Sequence, residues 1–361
     1  MDLLFVHNHY QQPGGEDRAF ESEVQSLALR GHRVLRHEVH NTSIGARPLK
    51  AAVGTIWNWD AYRKMRSLLR QERPQLIHAH NTFPLYSPSI YYAARAEGVP
   101  VVQTLHNYRL LCPAATLCRS GEICTKCVQK PIAWPAVQHR CYRDSRAGSA
   151  VVSTMLAVHR ALRTWHKLVD AYILPTEFGK QTFLNAGFPP EKLFVKPNFC
   201  EFPIAKTQET KREGGLFVGR LSPEKGIEVM LDAWRAVDRS IPLRIVGDGP
   251  LRDIVQRAAA RMENVHYLGW LGKAEIEQQM RASAFLVVPS IWYEVFGINV
   301  IEAYSMGFAR DRQPDRRFGG NYPKRRNGIT RPARRRRGPP RHDPMGGEPL
   351  NGHAANGRRS A

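Results

Sequence analysis

The 361-residue sequence has no apolar run approaching the roughly 18–20 residues that a membrane-spanning helix needs. Nor does it open on a basic leader: Met1-Asp2 runs straight into the short apolar stretch Leu3-Leu4-Phe5-Val6. These features lead to the expectation of a cytoplasmic protein, with peripheral contact at the inner face of a membrane left open. Internal repeats of short period are lacking, which argues against a solenoid. Acidic residues are in deficit, 32 against 53 Lys and Arg, giving a formal charge of +21. Such a balance ordinarily suggests a polyanionic partner. The excess is uneven, however: residues 308–361 carry a net +11 and the remaining 307 residues only +10.

Cysteine is sparse and clustered. Five of the six, Cys112, Cys118, Cys124, Cys127 and Cys141, fall within thirty residues, and Cys200 stands apart. Without a secretion signal, this grouping favours reduced or metal-bound thiols over a disulfide framework. The close pair Cys124 and Cys127, with Cys112 before and Cys141 after, has the makings of a tetrahedral zinc site of four thiolates. Reduced thiols packed inside an insertion are the competing reading. The segment Pro113–Trp134 has little periodicity, so a loop of this length needs some staple.

What is present is an alternation of strand and helix patterns. Leu3–Val6, Val34–Val39, Leu76–Ala79, Val99–Leu105 and Ala171–Leu174 read as strands. Glu16–Leu29, Trp59–Arg70 and Pro88–Glu97 read as helices. Val195–Phe199 reads as a linker and Ala205–Gly215 as a polar stretch. The alternation then restarts, with strands at Leu216–Val218, Leu243–Val246, Val265–Leu268 and Phe285–Pro289. The intervening helices are Gly226–Val237, Leu251–Arg261, Ala274–Ala282 and the start of one at Ile298–Met306. Two α/β units with parallel sheets are the economical reading. The expected boundaries are 1–195, with a Cys-rich insertion at about 112–141, and 196–307 for a second, incomplete unit. Residues 308–361, rich in Arg, Gly and Pro and poor in branched and aromatic residues, are expected to be a disordered basic tail, with the look of translation in a shifted frame.

Three junctions in the second half carry chemistry. Gly219-Arg220-Leu221-Ser222-Pro223-Glu224-Lys225-Gly226 follows a strand and opens a helix, so two cations would stand at the carboxyl end of a sheet, where a diphosphate fits. Val246-Gly247-Asp248-Gly249-Pro250-Leu251 is a second strand-to-helix turn, which by itself reads as structural. Pro289-Ser290-Ile291-Trp292-Tyr293-Glu294-Val295-Phe296-Gly297 precedes a helix carrying Glu302, eight positions after Glu294. Both carboxylates could face one crevice; the plainer reading is a dipole-favoured charge plus a solvated Glu. His106 follows a strand, and Gly14-Gly15 occupies the first strand-to-helix loop.

Together, in this order and spacing, the three junctions resemble the family 4 retaining glycosyltransferases over residues 1 to about 307. The stretch Phe5–Asp17 resembles a bacterial subgroup associated with surface polysaccharide assembly. The resemblance implies a GT-B architecture, two Rossmann-like domains facing across a cleft. It implies that Arg220 and Lys225 neutralise the leaving diphosphate and that Glu302 holds the ribose. Glu294 would bind the transferred hexose, with the Phe296 and Gly297 amides and the Gly247 turn near the nucleotide. His106 would line the donor pocket from the opposite domain, and Gly14-Gly15 would aim its amides at an anionic ligand. Val295 departs from the pattern, standing where the family often has a smaller residue. The expected partners are a nucleotide-sugar donor and a glycan or lipid-linked acceptor, with no metal needed for catalysis. Two further readings stay open: an inactive, truncated relative, and a polyanion binder acting through Arg334–Arg337. Against the latter, no base-stacking aromatics are interleaved in the Arg334–Arg337 run.

Overall fold

The computed structural model describes residues 1–11, 14–44, 48–200 and 212–306; the basic tail at 308–361 lies outside the described residues. In chain order the first unit comprises β1 (Asp2–His9), α1 (Gly15–Leu29), β2 (Arg33–His40), α2 (Pro48–Ile56), α3 (Trp59–Glu72), β3 (Leu76–Asn81), α4 (Ser89–Ala96), β4 (Val101–Thr104), β5 (Cys118–Arg119), β6 (Glu122–Ile123), α5 (Trp134–Gln138), α6 (Arg146–Ala161), α7 (Thr164–Lys167), β7 (Ala171–Leu174), α8 (Glu177–Asn185) and β8 (Leu193–Val195). The second comprises β9 (Gly215–Val218), α9 (Ile227–Trp234), β10 (Leu243–Val246), α10 (Arg252–Arg261), β11 (Val265–Gly269), α11 (Lys273–Ala282), β12 (Phe285–Leu286) and α12 (Ile298–Ser305).

Each unit is built on a parallel sheet. The first has strand order β2-β1-β3-β4-β7-β8 and the second β11-β10-β9-β12. Parallel strands joined through helices bury both faces, and β1 accordingly carries the near-continuous run Leu3–Val6, at most 5% exposed. The order reverses beside β1 in the first sheet and beside β9 in the second, because each has its later neighbours on opposite sides. At such a reversal the adjoining loops diverge and leave a crevice outside the carboxyl ends of the strands. Polar residues stand at both reversals: the strand ends His7–His9 of β1 and His78, His80 and Asn81 of β3 at one, the loop Gly219–Lys225 and the segment after β12 at the other.

The helices start where side chains answer their open amides. Asn58 Oδ1 accepts from the amides of Asp60 and Ala61 at 3.1 Å, opening α3, which buries Met65 and Leu69 one turn apart. Ser145 Oγ caps α6 through the Gly148 amide, and Thr176 Oγ1 caps α8 through that of Gly179. Several elements differ from the pattern-based expectation. The last strand is two residues, Phe285–Leu286, rather than reaching Pro289, and α9 ends at Trp234 rather than Val237. Leu193–Val195, at the start of the expected linker, pairs with β7 as the edge strand of the first sheet. Lys196 continues that attachment, its amide donating to Leu174 O and its Nζ lying 2.5 Å from Glu23 Oε1. No helix is long and apolar enough to cross a membrane among the described residues.

Candidate active site

The second crevice is assembled by backbone approach. Gly219, directly after β9, donates its amide to Val246 O, Leu221 donates to Asp248 O, and Leu251 donates to Leu221 O. These bonds lay the loop carrying Arg220 against the turn after β10. The approach is so close that a Cβ on Gly247, whose φ is +140°, would lie 1.9 Å from Gly219 O. Glycine is therefore required there on steric grounds, and the turn acts as the support of the Arg220 loop. Gly226 plays the same part for the other cation: at φ +71°, a Cβ would stand 2.2 Å from Pro289 O. The Ile291 amide donates to Glu224 O at 3.0 Å, stitching the Lys225 loop to the segment after β12.

That stitch brings together two residues 69 positions apart. Lys225 Nζ lies 2.7 Å from Glu294 Oε2. Ser290 Oγ and Trp292 Nε1 donate to the same oxygen at 3.0 Å each, and the ammonium sits 5.1 Å from the centre of the Trp292 ring. Glu294 is thus oriented by three donors on one oxygen. The Arg220 side chain is exposed and has no ion-pair partner among the described residues.

Glu302 is differently placed. It is buried on α12, which Gly297 opens in a left-handed conformation and Asn299 ties to β9 by donating to Val218 O. Arg18 of α1, in the first unit, brings Nη1 to 2.6 Å from both Glu302 oxygens. Close by, Gly15 faces the Ile298 side chain. The starts of α1 and α12 therefore oppose each other across the two units. The Gly14 amide is taken by Asp17 Oδ2 at 2.6 Å, as the first-turn cap of α1. Phe296 is half-buried. Val295 is buried in the same apolar cluster as Leu105 and Tyr108 of the first unit, so its extra bulk serves the contact between the units.

His106 lies just past the end of β4, its Nε2 2.9 Å from His80 Nδ1 and the two rings stacked at 5.0 Å. Behind them lie His78, hydrogen-bonded to Thr104, and Glu23, bound to Lys196. Burial, reinforced by the neighbouring imidazoles, holds His106 and His80 well below the ordinary histidine value, and brings His78 down to about 3. At neutral pH His106 is therefore an uncharged hydrogen-bonding ring. Toward the same end of β1, Glu16 is pushed up to about 8, chiefly by burial and then by the charge of Asp17, and it meets Tyr10, Asn107 and Arg109.

Among the described residues, two groups bring three metal-ligating atoms within 4.8 Å of one another: His7, His9 and Asp17, and Glu23, His78 and His80. In both, the carboxylate already has partners, His7 at 2.7 Å from Asp17 and Lys196 beside Glu23. The expected cysteines Cys112, Cys124, Cys127 and Cys141 line one small cavity, more loosely gathered, and Cys118 joins them. All are free thiols.

The sequence reading singled out neither Arg18, Trp292 nor Ser290. Trp292 and Ser290 lay within a motif already marked, two and four positions from Glu294. Arg18 offered only its place in the first turn of α1, downstream of Gly14-Gly15.

Residues 18–201 match the family described as Glycosyltransferase Family 4, and 212–309 match Glycosyl transferases group 1. Among curated relatives, the phosphatidyl-myo-inositol mannosyltransferase of Mycobacterium leprae is 27% identical over 169 residues, 43% of either chain. The D-rhamnosyltransferase WbpZ of Pseudomonas aeruginosa is 37% identical over 95 residues, 26% of this chain and 24% of its own. The match thus spans less than half the length of these relatives. Among solved structures, Anabaena HepE in complex with UDP and glucose superposes with a TM-score of 0.55 at 19% identity, over 85% of this chain and 79% of that one. Sucrose-phosphate synthase of Thermosynechococcus elongatus gives 0.56 at 16% identity, over 84% and 79%. At these identities the likeness speaks to architecture: the two facing α/β units are a GT-B fold.

Proposed function

Because the chain belongs to glycosyltransferase family 4, we propose that it moves a hexosyl group from a nucleotide-sugar to a glycan or lipid-linked acceptor, retaining the anomeric configuration. The observation that carries this reading is the Lys225–Glu294 pair at the strand-order reversal of the second sheet, beside the exposed Arg220. A leaving nucleoside diphosphate develops negative charge as the glycosidic bond breaks. A guanidinium and an ammonium fixed at the carboxyl end of β9 stabilise that charge without reorganising. On this account the reaction needs no divalent cation, since Arg220 and Lys225 supply the positive charge.

Glu294, with Oε2 held by three donors, is suited to accept hydrogen bonds from sugar hydroxyls through its other oxygen. Glu302 is suited to a ribose diol, with Arg18 yielding one of its two contacts when the nucleotide enters. His106, uncharged, would hydrogen-bond the hexose from the first domain rather than act as an acid. Phe296 and Gly297 would offer backbone near the phosphates at the start of α12. HepE, solved with UDP and glucose, and the phosphatidyl-myo-inositol mannosyltransferase of Mycobacterium leprae support a nucleotide-linked donor and a lipid-linked acceptor. A lipid-linked acceptor would bring the enzyme to the inner face of the membrane as a peripheral protein.

The test is turnover of a panel of nucleotide-sugars by the full chain, with the product anomer assigned by proton NMR. Retained configuration is expected, with a loss of about 10²–10³-fold in kcat for Glu294→Gln. Inverted product, or turnover indifferent to Glu294→Gln and Arg220→Ala, would overturn the reading.

A further inference from the structure

Between β4 and α6 the chain runs from Leu105 to Ser145 with only a two-residue hairpin and the five-residue α5 as regular structure. Seven non-glycine residues in it, including Ala115, Leu117 and Gln129, adopt the left-handed conformation. L-residues hold that conformation only where their surroundings over-determine it. Up to Leu117 the segment is held by burial of Leu105, Tyr108, Leu110, Leu111 and Leu117 in the core, but over residues 118–132 Cys127 is the one buried hydrophobic side chain, with Ile123 and Ile132 exposed. Arg160 of α6 anchors part of the segment by donating to the carbonyls of Leu110, Leu111 and Lys130.

The rest converges on sulfur. Cys112 ends a turn, its amide on Tyr108 O; Cys124 leaves the hairpin, its amide on Leu117 O; Cys127 follows three residues on; and Cys141 closes the turn after α5, its amide on Ala136 O. With Cys118 they surround a single small cavity. Arg119 lines the same cavity, and its Nε is buried with no acceptor among the described residues. A buried guanidinium nitrogen without an acceptor leaves room for one, and a negative group in the cavity would supply it. Neutral thiols do not provide one; thiolates on a metal do.

We propose that Cys112, Cys124, Cys127 and Cys141 bind one zinc ion as tetrahedral thiolates, stapling the insertion. Four soft sulfur ligands select zinc among the common divalent ions, and the two-residue gap between Cys124 and Cys127 lets neighbouring sulfurs chelate one ion. Binding replaces four S–H protons by four Zn–S bonds and releases those protons to solvent. The resulting site carries two negative charges, which Arg119 answers. Cys118 is the thiol left out. It sits on the hairpin that leans on the second domain, where Gly121 faces Ile291, and the charge of Glu224 reaches it. The same hairpin contact means that the staple also fixes what presses on the segment ahead of Glu294.

The inference does not depend on the proposed reaction, and its test reads metal rather than turnover. The full chain, purified under reducing conditions without chelator, is analysed for metal by plasma mass spectrometry. About one zinc per chain is expected, with cobalt substitution giving tetrahedral thiolate spectra. Single Ser replacements at Cys112, Cys124, Cys127 or Cys141 should lose the ion, whereas Cys118→Ser and Cys200→Ser keep it. Wild-type protein free of zinc, unable to take it up and with every thiol titratable, overturns the proposal whatever the variants do. Full zinc retention in Cys124→Ser and Cys127→Ser overturns the ligand set.

Discussion

Replacing Gly247 with alanine probes whether the turn after β10 really sets the position of Arg220. The added Cβ would lie 1.9 Å from Gly219 O, whereas ordinary van der Waals contact begins at 3.4 Å, so one backbone must retreat by about 1.5 Å. Neither partner is a flexible side chain. Gly219 is pinned to Val246 O, and Leu221 to Asp248 O, so the retreat breaks at least one of these bonds. The left-handed φ of +140° adds strain of about 1–3 kcal/mol for any side chain. A shift of about 1 Å at a charge-stabilising group is enough for roughly a hundredfold loss in rate. Gly31→Ala serves as the control, since it shares a positive φ of +82° but meets nothing within 4 Å. It should cost about 1 kcal/mol and leave turnover alone. The assay is paired: thermal unfolding for stability, and donor turnover for the site. Gly247→Ala that remains folded with activity within about threefold of wild type would refute the argument, because the Arg220 loop would then tolerate a displacement the geometry forbids.

Other outcomes follow from the same contacts. Arg18→Ala strips buried Glu302 of its guanidinium; with Arg18 42% exposed, the expected loss is about 1–3 kcal/mol, below that of a fully buried pair, and an unchanged melting temperature would contradict it. Glu16 gives a pH signature. Its folded value of about 8 exceeds the ordinary 4.5, so wild-type stability falls as pH rises through that window, by about 1.4 kcal/mol per unit at most. Glu16→Gln, which cannot ionise, should therefore gain on wild type from pH 4.5 to 8 in denaturant titrations; a gap constant with pH would exclude the assignment. Lys225→Met removes both the cation proposed to face the phosphates and one of three donors to Glu294. Turnover should drop by more than for Ser290→Ala, which removes a donor alone, and equal losses would argue against a direct role for the ammonium.

The parallel α/β character and most strands were legible because buried parallel strands read as unbroken apolar runs, as in Leu3–Val6 and Leu243–Val246. The helix α6 was not read. Its buried face interleaves Ser149, Ser153 and His159 with Val152, Met155 and Leu156, so the apolar period is interrupted although the Ser145 cap was in plain view. Neither α2 nor α8, despite its Thr176 cap, stands out in the sequence pattern. Leu193–Val195 is too short, and too close to Pro197, to be told from a linker without its partner strand.

At the site, local motifs were readable and their pairings were not. Lys225 and Glu294 were each marked by their own junction, but that they touch depends on Gly226 meeting Pro289. Arg18 and Glu302 lie 284 positions apart, and nothing local to either predicts the other. The histidines behind His106 were invisible for a different reason: His78 and His80 alternate with apolar residues in β3 and both are buried, so strand periodicity does not set them apart.

The central claim, that Arg220 and Lys225 grip a diphosphate at the end of β9, is tested most directly by calorimetric titration of UDP and GDP into the full chain and into Arg220→Ala/Lys225→Ala. Wild type should bind at least one of the two nucleotides, and the double variant should bind it at least about tenfold more weakly, as expected for lost charge-assisted contacts. Nucleotide binding of equal strength in both proteins, or none in the wild type, would contradict the account.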